Sequence, residues 1–224
     1  MTTRARRRGQ GPVQWVVAIL LLLAVAVVYT PQSLAFPYKQ RVGTVTIFAE
    51  RPIDPRIASE LAHAEGLLRA SPIYTGPLDR SLFLTDGGWR WRLLAIQSPG
   101  AFAFRRPFSS AIVFNRSDVA ADRVMNGRAV GGIRTLSGVI AHETTHIMIA
   151  NHLGEVRSAM LPTWQQEGYA DDVARESSLT DAEAARIRES DPRASALVYY
   201  DARRRVAAAL SAKGGSVDAF FAGD

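Results

Sequence analysis

Two histidines in the stretch AHETTHIM stand four residues apart, at His142 and His146, and Glu143 directly follows the first. Residues four apart on an α-helix share one face, so both imidazoles can present a nitrogen to a single ion. A glutamate beside the first ligand can take a proton from a water held by that ion. The spacing indicates either a catalytic metal site or an amphipathic helix whose histidines only form hydrogen bonds.

A third ligand is available downstream, in the segment LPTWQQEGYADDVA. Catalytic zinc usually has three protein ligands and one open position for water, and Glu167 lies in the first turns of the next predicted helix. Asp171 follows one turn later, where it can accept the other N–H of a ligating histidine. Gly168 is small enough for this helix to approach the metal helix closely. The alternative is a solvated helix face, but the combination of these residues favours zinc.

From His142 through the downstream WQQEGYAD, which ends at Asp171, the chain resembles the gluzincin zinc metallopeptidases, in particular their small peptidase MA-like members. The resemblance implies a zincin-like domain with Zn²⁺ held by His142, His146 and Glu167. It also implies Glu143 as the general base and Asp171 as the partner of a ligating histidine.

In such folds the strand nearest the cleft can hold an extended peptide by strand addition. The segment AIVFN at 111–115 is the candidate for this strand, although its composition fits an ordinary core strand equally well.

Peptide hydrolysis also needs a group that stabilises the oxyanion. In gluzincins a Tyr or His on a later helix often supplies it, and the segment ALVYYDARRRV offers Tyr199 and Tyr200. Core packing of the two rings is an equally good interpretation. The other histidines are interpreted as structural, because His152 suits the C-terminal end of the metal helix and His63 lies on an amphipathic helix.

The elements that must position these residues follow from composition and end signals. Strands are predicted at 42–49, 81–84 and 111–115, and 89–96 fits a short helix or a strand. Helices are predicted at 56–70, 136–153, from Thr163 onward, 181–189 and 194–212. Gly154 ends the second of these, and Gln166 is the expected capping-box partner of Thr163. Strands followed by helices predict an α+β fold, a small mixed sheet packed on helices.

The N-terminal region predicts export of the domain. Four of the first eight residues are arginine, and an uncharged apolar run follows at 13–29. Its length is about the minimum for a transmembrane helix, and the arginines favour a cytoplasmic tail at 1–12. A signal peptide cleaved after Ala35 is the alternative, but the long run favours a retained anchor at 13–30. A linker at 31–40 and one catalytic domain at 41–224 complete the organisation.

The charge and the amino-acid composition argue against some classes of function. The net charge is +6, and the four early arginines account for most of it, so the rest of the chain is only weakly basic. There is no basic patch interleaved with aromatic residues, which argues against nucleic acid as a partner. The chain has no cysteine, so disulfides and thiolate metal sites are excluded.

These observations predict a single-pass membrane protein whose outward-facing domain is a zinc metallopeptidase. A peptide or protein would be its substrate, and the bond would be hydrolysed by a zinc-activated water with Glu143 as general base. One alternative is hydrolysis of a different amide, such as a cell-wall crosslink. Another is a zinc-containing binding module without turnover, but a purely structural site has no need of a base such as Glu143.

Overall fold

The computed structural model describes residues 12–223, so almost all of the basic tail predicted at 1–12 lies outside the described residues. The helices are α1 (Pro12–Tyr29), α2 (Ile57–Arg69), α3 (Trp89–Leu94), α4 (Leu136–Leu153), α5 (Glu155–Met160), α6 (Thr163–Ala174), α7 (Asp181–Ser190), α8 (Ser195–Ala212) and α9 (Val217–Ala222). The strands are β1 (Tyr38–Val42), β2 (Val45–Ala49), β3 (Arg80–Thr85), β4 (Ala103–Arg105), β5 (Ala111–Asp118), β6 (Arg123–Met125) and β7 (Ile133–Arg134).

The apolar run near the N-terminus is helical and forms α1. Among residues 12–223, however, no helix combines the length and the apolar character needed to cross a membrane. The anchor expected at 13–30 stays a prediction.

All seven strands belong to one mixed sheet with the order β1-β2-β3-β5-β6-β7. The strands β2, β3 and β5 are parallel, whereas β1, β4 and β6 pair antiparallel with their neighbours. On one edge of β5 lies β3, and on its other edge β4 and β6 follow one another. With helices packed on this sheet, the α+β class expected from the sequence is confirmed.

The sheet is covered on both faces, because its central strands carry apolar side chains on each face. On one face, Ile47, Leu82 and Ile112 join the main core, to which α2, α4 and α6 contribute. On the other face, Phe83 and Val113 pack with Trp91 of α3. The sheet and α2 thus provide the rigid support on which the histidine-bearing helix α4 lies.

The histidine-bearing helix α4 has the bounds expected from the sequence. The side chain of Thr135 caps it by accepting a hydrogen bond from the Gly138 backbone N–H, and Gly154 ends it with a φ of 85°. A positive φ of this kind is readily adopted only by glycine, which explains why the helix stops there. Nearly the whole length of α4 is buried, including the polar residues Glu143 and Thr144.

Two expectations about local structure were wrong. The segment 42–49 is not one strand, because Val42 ends β1 and Val45 starts β2; the two strands pair as a hairpin that begins at Tyr38, inside the predicted linker. Thr163 does not cap α6; Pro162 precedes the helix, and Gln166 donates to the Leu161 carbonyl instead. The expected capping-box pair is therefore absent at that position.

Gly168 has a different neighbour from the one expected. A Cβ at this position would lie 2.6 Å from the Ala202 carbonyl oxygen and 2.7 Å from Val206 Cγ2, both on α8. The missing side chain therefore allows α6 to approach α8 closely rather than α4. Because α6 carries Glu167, this contact with α8 helps fix the position of the third candidate ligand.

Candidate metal centre

The three candidate ligands meet at one point between α4 and α6. The Nε2 atoms of His142 and His146 are 3.2 Å apart. A carboxylate oxygen of Glu167 lies 3.4 Å from His142 Nε2, and its other oxygen lies 3.7 Å from His146 Nε2. Tetrahedral zinc with bonds of about 2.0–2.1 Å separates its ligand atoms by about 3.4 Å. The donor set of two imidazoles and one carboxylate therefore fits a zinc ion in type and in spacing.

Asp171 fixes the orientation of His142 through the ring nitrogen that faces away from the other candidate ligands. The Nδ1 atom of His142 lies 2.7 Å from Asp171 Oδ1, and both side chains are buried. When Nδ1–H donates to this carboxylate, Nε2 is the nitrogen left to face Glu167 and His146. The sequence-based prediction for Asp171 therefore agrees with the contact that the structure makes.

Arg134 extends this chain of contacts, and sequence reasoning missed it. Its guanidinium lies 2.9 Å from Asp171 Oδ1 and 3.5 Å from Glu176 Oε2, with only 7% of the side chain exposed. Burial alone would raise the pKa of Asp171, but Arg134 and then His142 hold it below its ordinary value. Asp171 therefore stays ionised while buried, as its role behind His142 requires.

The protonation of the three ligands follows from burial and mutual contacts. Burial would lower the pKa of His142, but the Asp171 carboxylate raises it to about 10. Burial lowers the pKa of His146 to about 4, so this ring is neutral at pH 7. Burial would raise the pKa of Glu167, but His146 and His142 lower it. A proton and a metal ion compete for the same nitrogen of a ligating histidine.

Glu143 stands beside the three donors without belonging to their cluster. It is 7% exposed, and its side chain lines the cleft on both sides of the ligands. Burial raises its pKa to about 7. A carboxylate with a pKa near neutrality can both accept and return a proton, which is the property required of a general base that later acts as an acid.

The two tyrosines have different surroundings. Tyr199 lines the cleft beside Glu143 and Glu167, and burial, followed by the charge of Glu167, raises its pKa. Tyr200 is only 5% exposed, and its hydroxyl donates to Asp181 Oδ1 at 2.6 Å. The structure therefore brings Tyr199 to the site and does not bring Tyr200 there.

A cleft crosses the donor cluster and has two lobes. The smaller lobe has a volume of about 340 Å³ and includes Phe104, Pro107 and Ile149. The larger lobe has a volume of about 480 Å³ and includes Asn126 and Arg128. His142, Glu143, Glu167 and Tyr199 line both lobes, so a bound chain that fills the two would pass over the candidate centre.

The strand at the cleft is β4, which sequence reasoning did not identify. The residues 101–105 line the cleft, and within the described range β4 pairs with β5 alone, so its other edge is open. The expected candidate at 111–115 lies within β5, which is paired with β3 on one edge and with β4 on the other. The expectation that 111–115 offers a substrate edge was therefore wrong, because both of its edges are occupied.

A second group of donors lies near the start of α4. Glu60, His63 and Asp122 place possible ligand atoms within 4.8 Å of one another. However, His63 is exposed, and both oxygens of Asp122 already accept hydrogen bonds from Ser137 near the start of α4. His152 is paired with Asp218 at 2.6 Å on the surface. Neither histidine reaches the cleft.

No family model, curated protein or solved structure matches this chain. The interpretation of the site therefore depends on its own residues and their geometry.

Proposed function

We propose that this chain is a zinc-dependent metallopeptidase of gluzincin type. One observation carries the proposal: His142, His146 and Glu167 present three N and O donors at separations suited to one zinc ion. Glu143 lies next to them on α4, buried and outside the cluster of donors. A binding module with a structural metal would not need a carboxylate whose pKa is raised to about 7 at this point.

The chemistry assigned to each side chain follows from its position. When bound by the three donors, zinc supplies Lewis acidity and lowers the pKa of water toward about 7. Glu143 takes a proton from the attacking water and returns it to the amine that leaves. Tyr199, whose ring lines the cleft beside Glu167, donates its hydroxyl hydrogen to the oxyanion that develops on the carbonyl. Asp171 and Arg134 keep His142 in the orientation that exposes Nε2.

An extended peptide suits the cleft better than a compact substrate. The open edge of β4 offers backbone N–H and C=O groups to a chain that adds as a further strand. The two lobes, about 340 and 480 Å³ in volume, lie on either side of the donors and can each accept side chains of such a peptide. The proposed substrate is therefore a peptide, or an extended segment of a protein, bound along β4.

Metal content is the first test. Protein prepared without added metal and analysed for elements is expected to contain close to one zinc per chain, or to take it up on titration. His146→Ala should lower zinc affinity strongly because it removes a ligand, whereas Glu143→Gln should leave zinc content unchanged. A chain that neither contains nor takes up zinc would contradict the proposed centre.

Hydrolysis is the second test, with a peptide library read by mass spectrometry. Glu143→Gln keeps the shape of the side chain and removes the base, so turnover should fall by about 10²- to 10⁴-fold. Glu189→Gln on the exposed face of α7 is the matched control and should cut like wild type. If zinc-loaded wild type cuts no peptide, or Glu143→Gln cuts as fast, the hydrolytic function is wrong.

A further inference from the structure

The two lobes of the cleft differ in the charge that they offer a substrate. In the smaller lobe the cation is Arg105, but its guanidinium pairs with Glu155 at 2.6 Å and only 8% of its side chain is exposed. The charge of Arg105 is therefore neutralised by its partner, and the rest of that lobe has both polar and apolar walls.

In the larger lobe the cations are Arg134 and Arg128. The charge of Arg134 is already paired, because its guanidinium lies between the carboxylates of Asp171 and Glu176. The side chain of Arg128 is exposed, and within residues 12–223 it has no ion pair and no side-chain hydrogen bond. The carboxylates that line this lobe, on Glu143, Glu167 and Asp171, all belong to the candidate metal centre. Arg128 is therefore the charge that remains for a ligand.

The position of Arg128 is defined by its backbone and by Gly100. Its N–H donates to the side-chain carbonyl of Asn126, and the Asn126 N–H donates to the Gly132 carbonyl, which closes the loop. A Cβ on Gly100 would lie 3.2 Å from Arg128 Nη2, so the guanidinium rests on the backbone just before β4. The charge of Arg128 also acts on Tyr199, which lines the same lobe.

We propose that Arg128 is a specificity residue that binds a carboxylate of the peptide in the larger lobe of the cleft. This inference rests on the proposed peptidase function. A guanidinium presents paired N–H donors that match a carboxylate, and such charge-assisted hydrogen bonds are stronger than neutral ones. The carboxylate comes either from an acidic side chain or from the free C-terminus of the peptide, and both have the same chemistry.

The test uses peptide sets that differ in one feature, namely Glu, Gln or Lys at each position and a free or amidated C-terminus. The measured quantity is the ratio of kcat/KM for a peptide with the carboxylate to that for its neutral partner. Wild type should favour the carboxylate by about five- to tenfold, the range between an exposed ion pair and a charged hydrogen bond. Arg128→Gln should bring the ratio close to one, and Arg128→Glu should favour Lys peptides.

Arg123→Gln is the matched control, because Arg123 is exposed on β6 and lines neither lobe. It should keep the wild-type ratio. Zinc content is measured for every variant, so that misfolding is recognised independently of cleavage. A preference that is lost when the C-terminus is amidated identifies the C-terminal carboxylate as the source, and one that depends on an internal Glu identifies the side chain.

Peptide binding separates this inference from the peptidase function itself. Fluorescence anisotropy with zinc-loaded Glu143→Gln protein measures binding without any cleavage. A carboxylate preference that disappears when Arg128→Gln is added supports the inference even if wild type proves to cut nothing. The inference is overturned by equal affinity for charged and neutral peptides, by a preference that survives Arg128→Gln, or by no peptide binding at all.

Discussion

Tyr199 and Tyr200 adjoin in the sequence, yet their hydroxyls belong to different parts of the molecule. Consecutive residues on a helix point about 100° apart, so at most one of them can face the cleft. The rotation of α8 decides which one, and that rotation is set by the burial of Leu197, Tyr200 and Val206 against neighbouring helices. The pair alone therefore gave two equal alternatives, and only the packing of α8 distinguishes them.

Tyr199→Phe and Tyr200→Phe are expected to have opposite consequences. Tyr199→Phe removes the proposed oxyanion donor, so kcat should fall by about 10²-fold or more while the free energy of unfolding stays unchanged. Tyr200→Phe removes the hydrogen bond to Asp181 and should lower the free energy of unfolding by about 1 kcal/mol with kcat retained. Steady-state kinetics and urea unfolding on both variants check this. If kcat fell in Tyr200→Phe and not in Tyr199→Phe, the oxyanion donor would be Tyr200.

Asp171→Asn tests whether the contact between Asp171 and His142 Nδ1 contributes to zinc binding. The Asn carbonyl oxygen can still accept from both His142 and Arg134, which meet the same Oδ1 position, but the negative charge that pairs with Arg134 and polarises His142 is lost. Zinc affinity or activity should therefore fall by about 10- to 100-fold. Competition with a chelator measures the affinity. Asp172→Asn is the control, because Asp172 makes no contact with His142, and an equal loss there would show that the effect is not specific.

Arg134 shows why part of this site is hidden in the sequence. It lies on the two-residue strand β7, far along the chain from Asp171, and nothing in its local pattern signals a contact with that carboxylate. His142, His146 and Asp171 were accessible because helical spacing dictates their common faces. Arg134 was not, because its place depends on how β7 pairs with β6.

At the scale of the elements, those with strong local signals are predicted correctly, whereas strands that form only through pairing with a neighbour are not predicted. The helix α4 was predicted with its observed bounds, since Gly154 is a clear stop signal. The strand β4 is three residues long and exists because it pairs with β5, which no local pattern encodes. The strand β1 is exposed and polar along most of its length, so it was taken for a linker. Because β4 gives no local signal, the sequence offers 111–115 as the candidate for the substrate edge, with an ordinary core strand as the equal alternative.

Gly168→Ala tests the contact between α6 and α8. A methyl group there meets the Ala202 carbonyl at 2.6 Å, and this is backbone that cannot rotate away. The helices must separate, so we expect the free energy of unfolding to fall by about 1–3 kcal/mol. Zinc affinity should fall as well, because Glu167 adjoins the position that shifts.

Gly66→Ala on α2 is the matched control for Gly168→Ala. A Cβ at Gly66 has nothing within 4 Å, so the change should only raise helix propensity and stabilise the protein by about 0.5–1 kcal/mol. Urea unfolding curves and chelator competition on both variants give the comparison. If Gly168→Ala proved as stable as Gly66→Ala, the close approach of α6 and α8 would not be what fixes Glu167.

For the molecule as a whole, the candidate metal centre lies between α4 and α6, two helices that both contribute to the main core. The helix α4 packs on α2 and on the sheet, whereas α6 packs against α8, and the three ligands join α4 to α6. The order of strands and helices along the chain predicts the α+β class but not this arrangement, because the order of strands in the sheet is set by long-range pairing.

Zinc is therefore expected to stabilise the entire fold and not only the cleft. A ligand that binds the folded state alone contributes RT ln(1 + [L]/Kd), which is about 4 kcal/mol when free zinc is 1,000-fold above Kd. Removing zinc with a chelator should lower Tm, and restoring zinc should raise it again. His146→Ala should lose this response, because it removes a ligand. His63→Ala should keep it, because His63 belongs to the other donor group, with Glu60 and Asp122. Calorimetry of the three proteins, each with and without zinc, decides between the sites. An unchanged Tm in wild type, or a response lost in His63→Ala and kept in His146→Ala, would contradict a centre that links α4 to α6.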